Sequence, residues 1–282
     1  ANATIGTDYV AKSPPDGYTL VLGSATHSFE LMLSAFILGL ALGALWIGRR
    51  ADRIADPVRA LAIAQWVMGA LAIATLPLYL ASFRWTAFLL AALDATPQGY
   101  AAFTVARYAI CLAIMLPATF CAGITLPLIT RTLLVSGGSA PDERAVGAVY
   151  GANTLGSIVG VALAGLVLMP LIGLRTMLIA GALLDMAIGA ALLLRRPGGA
   201  RGLGEPLRIA AVASLAVVLV IIIQSRFDRG TLVSGVYRYE TVGRVPDDEL
   251  VFYRDGRTAT VSGRVNPQGY GRSISTNGKP DA

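Results

Sequence analysis

Charge is what this chain has least of: only 14% of its 282 residues are charged, against 55% hydrophobic, and mean hydropathy is +0.64. A soluble domain carries about a quarter charged residues, so the composition is that of a membrane protein and the lipid bilayer is the first expected partner. Lysine is nearly absent, with Lys12 and Lys279 alone, so the net charge of +6 is an arginine charge. Nucleic-acid binding would need a basic face with aromatic or motif support. These arginines stand instead at the ends of apolar segments, where positive-inside anchoring accounts for them, and no nucleic-acid partner is expected. His27 is the single histidine, which excludes a multi-His metal site or a histidine relay in the apolar region. Beside the first apolar block it is expected to face solvent or headgroups. Cys111 and Cys121 share one apolar stretch and form no CxxC pair, which excludes a disulfide framework and a thiolate metal site. The opening residues lack the basic stretch and apolar core of a signal peptide.

What is present divides into three zones. Residues 1–28 are polar, with the turn-forming Pro14-Pro15-Asp16-Gly17 ahead of a strand-like Tyr18-Thr19-Leu20-Val21-Leu22. Residues 29–224 are a series of apolar blocks. A spanning helix needs about 20 such residues, and Phe29–Gly48, Ala60–Leu80, Ala145–Leu168 and Leu174–Leu194 each qualify. Tyr100–Leu134 is too long for one straight span and holds Pro117 and Pro127, so a single kinked helix with a broken or re-entrant end is expected. Ile209–Gln224 is short, β-branched and uncharged, and spans with Arg208 and Arg226 snorkelling at its ends. Trp85–Leu93 suits an interfacial or hairpin helix better than a span. The expectation is an all-α polytopic membrane bundle of about six transmembrane helices, with a small C-terminal β-hairpin segment over residues 225–282.

Loop charge sets an expected orientation. Arg49, Arg50, Arg53 and Arg59, then Arg131 and Arg144, then Arg195, Arg196, Arg201 and Arg208 fall in alternate loops, while the others hold Arg84, Arg107 and Arg175. The positive-inside rule places both termini outside the cytoplasm. An outside N-terminus without a signal pattern leads to the expectation of a fragment that has lost an upstream helix. In the tail, Leu232–Tyr239, Glu249–Tyr253, Thr258–Ser262 and Arg272–Ser275 read as strands, with Gly256 and Asn277-Gly278 supplying turn chemistry. Hairpins of this size are marginal alone and must pack on something.

Three sets of residues carry candidate roles. Gly39 with Gly43, Gly147 with Gly151 and Gly156 with Gly160 are spaced four apart, and Gly165 extends the last face; such spacing lets helix backbones approach closely, and packing within the chain is expected for it. Asp185 lies near the middle of the fifth apolar block, with Gln65 and Asn153 inside the second and fourth. An intramembrane ionisable group is a functional-site hypothesis by default, and an interhelical hydrogen bond is its structural alternative. A turn at 171–173 would make the fourth and fifth blocks antiparallel neighbours and bring Asn153, Thr154 and Ser157 to Asp185. Lastly, Gly48-Arg49-Arg50-Ala51-Asp52-Arg53 resembles the first half of the loop motif of major facilitator transporters, in which Asp52 and Arg53 would cap helix ends and pair across the bundle. Ala55, Asp56 and Pro57 depart from its second half, and a plain topology anchor stays open.

Two wider resemblances follow. Ile5-Gly6-Thr7, Val10-Ala11-Lys12, Pro15-Asp16-Gly17-Tyr18-Thr19-Leu20 and Leu22-Gly23-Ser24 resemble the early part of tripartite tricarboxylate-type periplasmic solute-binding proteins. Twenty-eight residues build neither lobe of such a protein, and the segment reads as a joined fragment. Over residues 29–282, Ala35–Gly43, Ala51-Asp52-Arg53, Gly123–Leu128 and Val146–Ser157 resemble the membrane part of spermidine-synthase-like fusion proteins. In that family a facilitator-like bundle precedes an aminopropyltransferase-type domain. Ser234–Tyr239, Phe252–Val261 and Asn277–Ala282 look like the small β-domain ahead of the synthase core. The resemblance implies a bacterial inner-membrane, multi-pass protein with polyamine or another small molecule as ligand. It also implies decarboxylated S-adenosylmethionine as the cofactor of a synthase-type domain beyond this chain. Aminopropyl transfer needs a bound sulfonium donor and a base. Neither is assignable here, so no catalytic, cofactor-binding or metal-ligating residue is expected, and the chain is not expected to be catalytic alone. A transporter of facilitator-like type is the alternative.

Overall fold

Backbone amides inside an apolar run have no water to bond, so the run satisfies them within itself as helix. The computed structural model describes residues 18–94, 96–136, 143–195, 204–225, 229–233, 249–255, 260–265, 272–276 and 279–281, and the side chains of 18–29 lie outside that description. Helices α1 (Tyr18–Gly48), α2 (Pro57–Ala92), α3 (Pro97–Ser136), α4 (Glu143–Leu163), α5 (Met169–Leu194) and α6 (Glu205–Gln224) are followed by a short α7 (Arg229–Leu232). A π-helical stretch, Ala164–Leu168, joins α4 to α5 without a loop.

Among the described residues, five helical runs are long and apolar enough to cross a membrane: Glu30–Gly48, Pro57–Ala92, Pro97–Val135, Val146–Leu194 and Glu205–Gln224. The sequence led us to expect six. The difference lies in the fourth run, where two helical stretches follow each other across a break at Gly173, inside the turn expected at 171–173, and count as one run. Gly173 has φ 74° and ψ 166°, a region open essentially to glycine alone. Tyr18–Leu22, expected as strand, is the first turn and a half of α1; a lone strand there has no ladder partner, whereas a helix bonds itself. Residues 1–17, which carry most of the solute-binding resemblance, lie outside the described residues.

Helix directions follow from residue contacts. Gly39 abuts Thr119, Gly43 abuts the Phe120 carbonyl and Gly123 abuts the Leu40 carbonyl. Residue numbers rise together along this seam, so α1 and α3 run parallel. Ser34, whose hydroxyl reaches Tyr108 at 3.4 Å, continues the register, and Trp46 meets Phe120 edge-on at 5.8 Å. Across α2 and α5 the numbers run oppositely. Gly69 backs onto Ala182 and Met186, while Gly189 backs onto Ala62 and Trp66. One core cluster ties α1, α2 and α3 through Ile47, Leu61, Ala64, Ile124 and Leu128, with Leu192 of α5 against it. A second ties α2, α5 and α6 through Ile73, Leu76, Ala182, Met186 and Val218.

Between α3 and α5 stands α4, which touches α3 only near its start, where Thr130, Leu133 and Leu134 approach Val146 and Val149. Beyond that point it diverges. Side chains added at Gly147, Gly151, Gly156 and Gly160 would meet nothing within 4 Å. Packing within the chain, expected for these glycines, is therefore found for Gly39 and Gly43 and not for the α4 set. Gly69, Gly123 and Gly189 pack as closely and carry no four-residue spacing to mark them.

Two long helices overrun a bilayer. Arg59 and Arg84 are 25 residues apart on α2, and Arg107 and Arg131 are 24 apart on α3, about 36 Å along a helix axis against a hydrocarbon core of about 30 Å. The turns beyond Arg84 and before Arg107 form a helical hairpin closed at Leu93–Thr96, where the Thr96 hydroxyl accepts from the Gly99 amide at 3.1 Å and caps α3. Trp85–Leu93 is thus the end of α2 and its link, not a separate helix. Tyr100–Leu134 lies within one unbroken helix despite Pro117 and Pro127.

The tail is a four-stranded antiparallel meander in the order β1 (Leu250–Asp255), β2 (Thr260–Val265), β3 (Arg272–Thr276), β4 (Lys279–Asp281). A bulge falls between Leu250 and Phe252. Pro280 sits in the outermost strand, the position a residue without an amide proton tolerates. Leu232, expected to open a strand, ends α7 instead; Ser234–Tyr239, Gly256 and Asn277-Gly278 lie outside the described residues. β1 packs beside α5, and the Arg264 guanidinium donates to the Val233 carbonyl after α7.

Thermal unfolding in detergent tests the glycine seams. Gly123→Val, whose added carbons run into the Leu40 carbonyl, should lose about 1–3 kcal/mol or more, whereas Gly156→Val on the open face of α4 should stay within about 0.5 kcal/mol. Gly173→Ala should lose about 1–3 kcal/mol through backbone strain.

Candidate functional site

The loop after α1 is built from short-range chemistry. Ala51–Arg53 forms one 3-10 turn, and Asp52 reaches the end of α3, pairing with the Arg131 guanidinium at 3.5 Å. Asp52 is almost fully exposed, so the pair sets register more than it adds stability. Arg50 folds back over the Trp46 ring at 4.7 Å from its centroid and donates to the Trp46 carbonyl. The departure from the facilitator-like motif has a local cause: the Asp56 carboxylate accepts from the Arg59 amide at 3.0 Å, capping α2, and Pro57 takes the first helical position. Gly48, Asp52 and Arg53 thus close the α1–α2 connection, and Asp52 crosses to another helix by pairing with Arg131.

The polar residues inside the apolar helices divide into two groups. On α4, Asn153 is exposed, the Thr154 hydroxyl donates to the Tyr150 carbonyl and the Ser157 hydroxyl to the Asn153 carbonyl. These are within-helix bonds, and none leads to Asp185. The fourth and fifth blocks are not antiparallel neighbours, because α4 leaves the bundle above Val149; the structure does not gather Asn153, Thr154 and Ser157 around Asp185. On the other side, Gln65 lies on α2 and Asp185 on α5, both half-buried beside the α2–α5 seam. Gln65 Oε1 is enclosed and has no hydrogen-bond partner among the described residues. At the next residue, the Trp66 indole donates to the Ser214 hydroxyl of α6 at 2.9 Å, tying the third helix to the same place. No group of three or more metal-ligating side chains occurs among the described residues.

Two arginines that the sequence placed in outer loops are structural members of helices. Arg107 is buried on α3, its guanidinium 5.4 Å from the Phe103 ring centroid. Arg175, in the second position after the break at Gly173, donates from Nε to the Ser225 carbonyl at 2.9 Å and from Nη2 to the Ile222 carbonyl at 2.6 Å. These carbonyls end α6, where a cation also meets the negative pole of the helix. Loop charge counting registers Arg175 as one positive charge; only the antiparallel pairing of α5 and α6 shows what it bonds. A cleft of about 340 Å³ opens beside it, lined by 169–175, Leu232, Tyr253 and Arg254.

Arg175→Ala should strip two bonds from the end of α6 and destabilise the bundle by about 1–3 kcal/mol. Chemical unfolding in detergent measures that loss, and Arg175→Lys should recover only part of it, since an ammonium cannot span both carbonyls with a planar fork. Comparison with protein-family models, with curated proteins and with solved structures found no match.

Proposed function

We propose that the chain is the membrane module of a spermidine-synthase-like fusion protein of a bacterial inner membrane, and that it anchors a synthase-type domain without catalysing the reaction itself. The observation that carries the proposal is the tail. Of the residues that resemble the β-domain ahead of the synthase core, the described ones, 252–255, 260–261 and 279–281, fall in an antiparallel meander after the last apolar helix. The order of parts, helices then a small sheet, is the order the resemblance implies.

In this reading residues 29–224 form the anchor and cross the bilayer six times, the 146–194 run crossing twice with its reversal at Gly173. The parallel course of α3 and α5 supports that count, because the chain between them must return from one end of the bundle to the other. Residues 225–282 lead toward the synthase-type domain, which would bind decarboxylated S-adenosylmethionine and a polyamine. Residues 1–28 are a solute-binding-protein-like fragment with no role in it.

A transporter is the second reading, favoured by one observation: polar Gln65 and Asp185 lie beside a helix seam within the apolar bundle. Two measurements separate the readings. Reading the gene beyond the Ala282 codon should reveal a glycine-rich strand-turn-helix followed by acidic residues; unrelated sequence there would remove the synthase reading. The chain reconstituted in liposomes should take up no labelled polyamine, and uptake abolished by Asp185→Asn would favour the transporter.

A further inference from the structure

We propose that Gln65 and Asp185 form one proton-holding site on the α3-facing side of the α2–α5 seam, in which the Asp185 carboxyl, in its neutral acid form, donates a hydrogen bond to Gln65 Oε1. The inference is independent of the synthase reading.

The seam fixes where the two side chains point. A carbon added at Gly69 would lie 2.7 Å from Met186 Cγ and 3.2 Å from the Met186 amide nitrogen; one added at Gly189 would lie 2.7 Å from the Ala62 carbonyl and 3.0 Å from the Trp66 amide nitrogen. Ala62, Gly69, Ala182, Met186 and Gly189 are all buried along this line. Gln65 precedes Trp66 by one residue, and Asp185 precedes Met186 by one. One residue back turns a side chain by about 100° around a helix, and in two antiparallel helices the same step carries both to the same side of their contact plane. Gly69 stands level with Ala182–Met186 and Gly189 with Ala62–Trp66, which sets Gln65 and Asp185 about three residues apart in height, ~5 Å. That separation is within reach of an extended Gln and an Asp. The shared side faces α3, because Ala64 and Leu192, the neighbours of Gln65 and of Asp185 on those faces, both join the cluster that holds Ile124 and Leu128 of α3.

Chemistry then selects the occupant. Gln65 Oε1 is an enclosed acceptor without a donor, and an ionised Asp185 would add a second acceptor beside it. Among the described residues no cationic side chain stands at that height. The arginines of the helices packed on α5 (Arg59 and Arg84 of α2, Arg208 of α6) and of neighbouring α3 (Arg107 and Arg131) lie toward helix ends, and the nearest, Arg208, is about 9 Å away along its axis. Cys121 of α3, buried one turn from Ile124, is the titratable group closest in height, and a thiol cannot supply a positive counter-charge. A carboxylate in hydrocarbon without a counter-charge is strongly disfavoured. One proton resolves both defects: it neutralises Asp185 and turns it into the donor Gln65 Oε1 lacks.

Infrared spectroscopy of the full chain in lipid nanodiscs at neutral pH tests this directly. Wild type should show a protonated-carboxyl C=O band that Asp185→Asn removes and that Gln65→Leu moves to higher frequency, with the helical amide band unchanged. Gln65→Met serves the same purpose should the leucine variant fold poorly. The proposal is overturned if Asp185 gives no neutral-carboxyl band, if neither Gln65 variant moves it, or if sodium added at constant pH abolishes it. The first outcome would mean that the amide is turned to donate to an ionised carboxylate, and the last that a metal ion takes the proton's place.

Discussion

Glycine-to-backbone contact is the interaction on which the bundle depends. In lipid, apolar side chains gain nothing by leaving one apolar surface for another, so helices associate where their backbones can approach closely. Two seams supply that approach here: Gly39, Gly43 and Gly123 between α1 and α3, and Gly69 and Gly189 between α2 and α5. Once the seams are set, α2 has a fixed partner on each side. The clusters around Ile47 and Leu128, and around Ile73 and Met186, then fill the remaining space. Trp66 and Arg175 add α6 by hydrogen bonds, which hold a helix in lipid where apolar area cannot.

The seams also fix direction, and direction explains the break. With α1 parallel to α3, and α2 antiparallel to both α3 and α5, helices α3 and α5 run the same way. The polypeptide must therefore travel back along the bundle between Ser136 and Gly173. It does so as α4 and the π-helical stretch, then changes course at a single glycine instead of a loop. A residue that adopts φ 74° and ψ 166° without strain allows a sharp change with few unsatisfied backbone groups. Arg175 follows immediately, so the new helix is tied to the end of α6 as soon as it begins.

Much of this was legible in the chain, for particular reasons. Apolar runs reveal helices because their length is set by the membrane, so α1, α5 and α6 end where expected, at Gly48, Leu194 and Gln224, whereas α1 begins at Tyr18, well before the expected Phe29. Turn residues and alternation revealed β1, β2 and β3, while β4, three residues with a proline at the edge, carried no such pattern. The turn expected at 171–173 narrows to one residue: Pro170 occupies an early helical position, and only Gly173 departs from helix. The site was half legible. Asp185 and Gln65 stand out as polar residues in apolar helices, but their pairing depends on seams marked by isolated glycines. Asn153 and Thr154 stood out equally and were separated from Asp185 by the divergence of α4, which no local pattern encodes.

The arrangement of ends constrains what the proposed anchor can serve. Arg49, Arg50, Arg53 and Arg59 meet Arg131 at one end of the bundle through the Asp52 pair. Leu192 packs near Ile47 at that same end, so Arg195 at the close of α5 and Arg208 at the start of α6 join them there. The sheet stands at the other end, where β1 lies beside α5 and lines the cleft with Arg175. In the proposed anchor, the positive-inside rule would turn the arginine-rich end to the cytoplasm and the sheet to the opposite side. A synthase-type domain continuing from β4 would then work outside the cytoplasm and draw both its sulfonium donor and its amine from there. On the proposed synthase reading, the charge pattern of the helices would therefore restrict the reaction to substrates present on that side of the membrane.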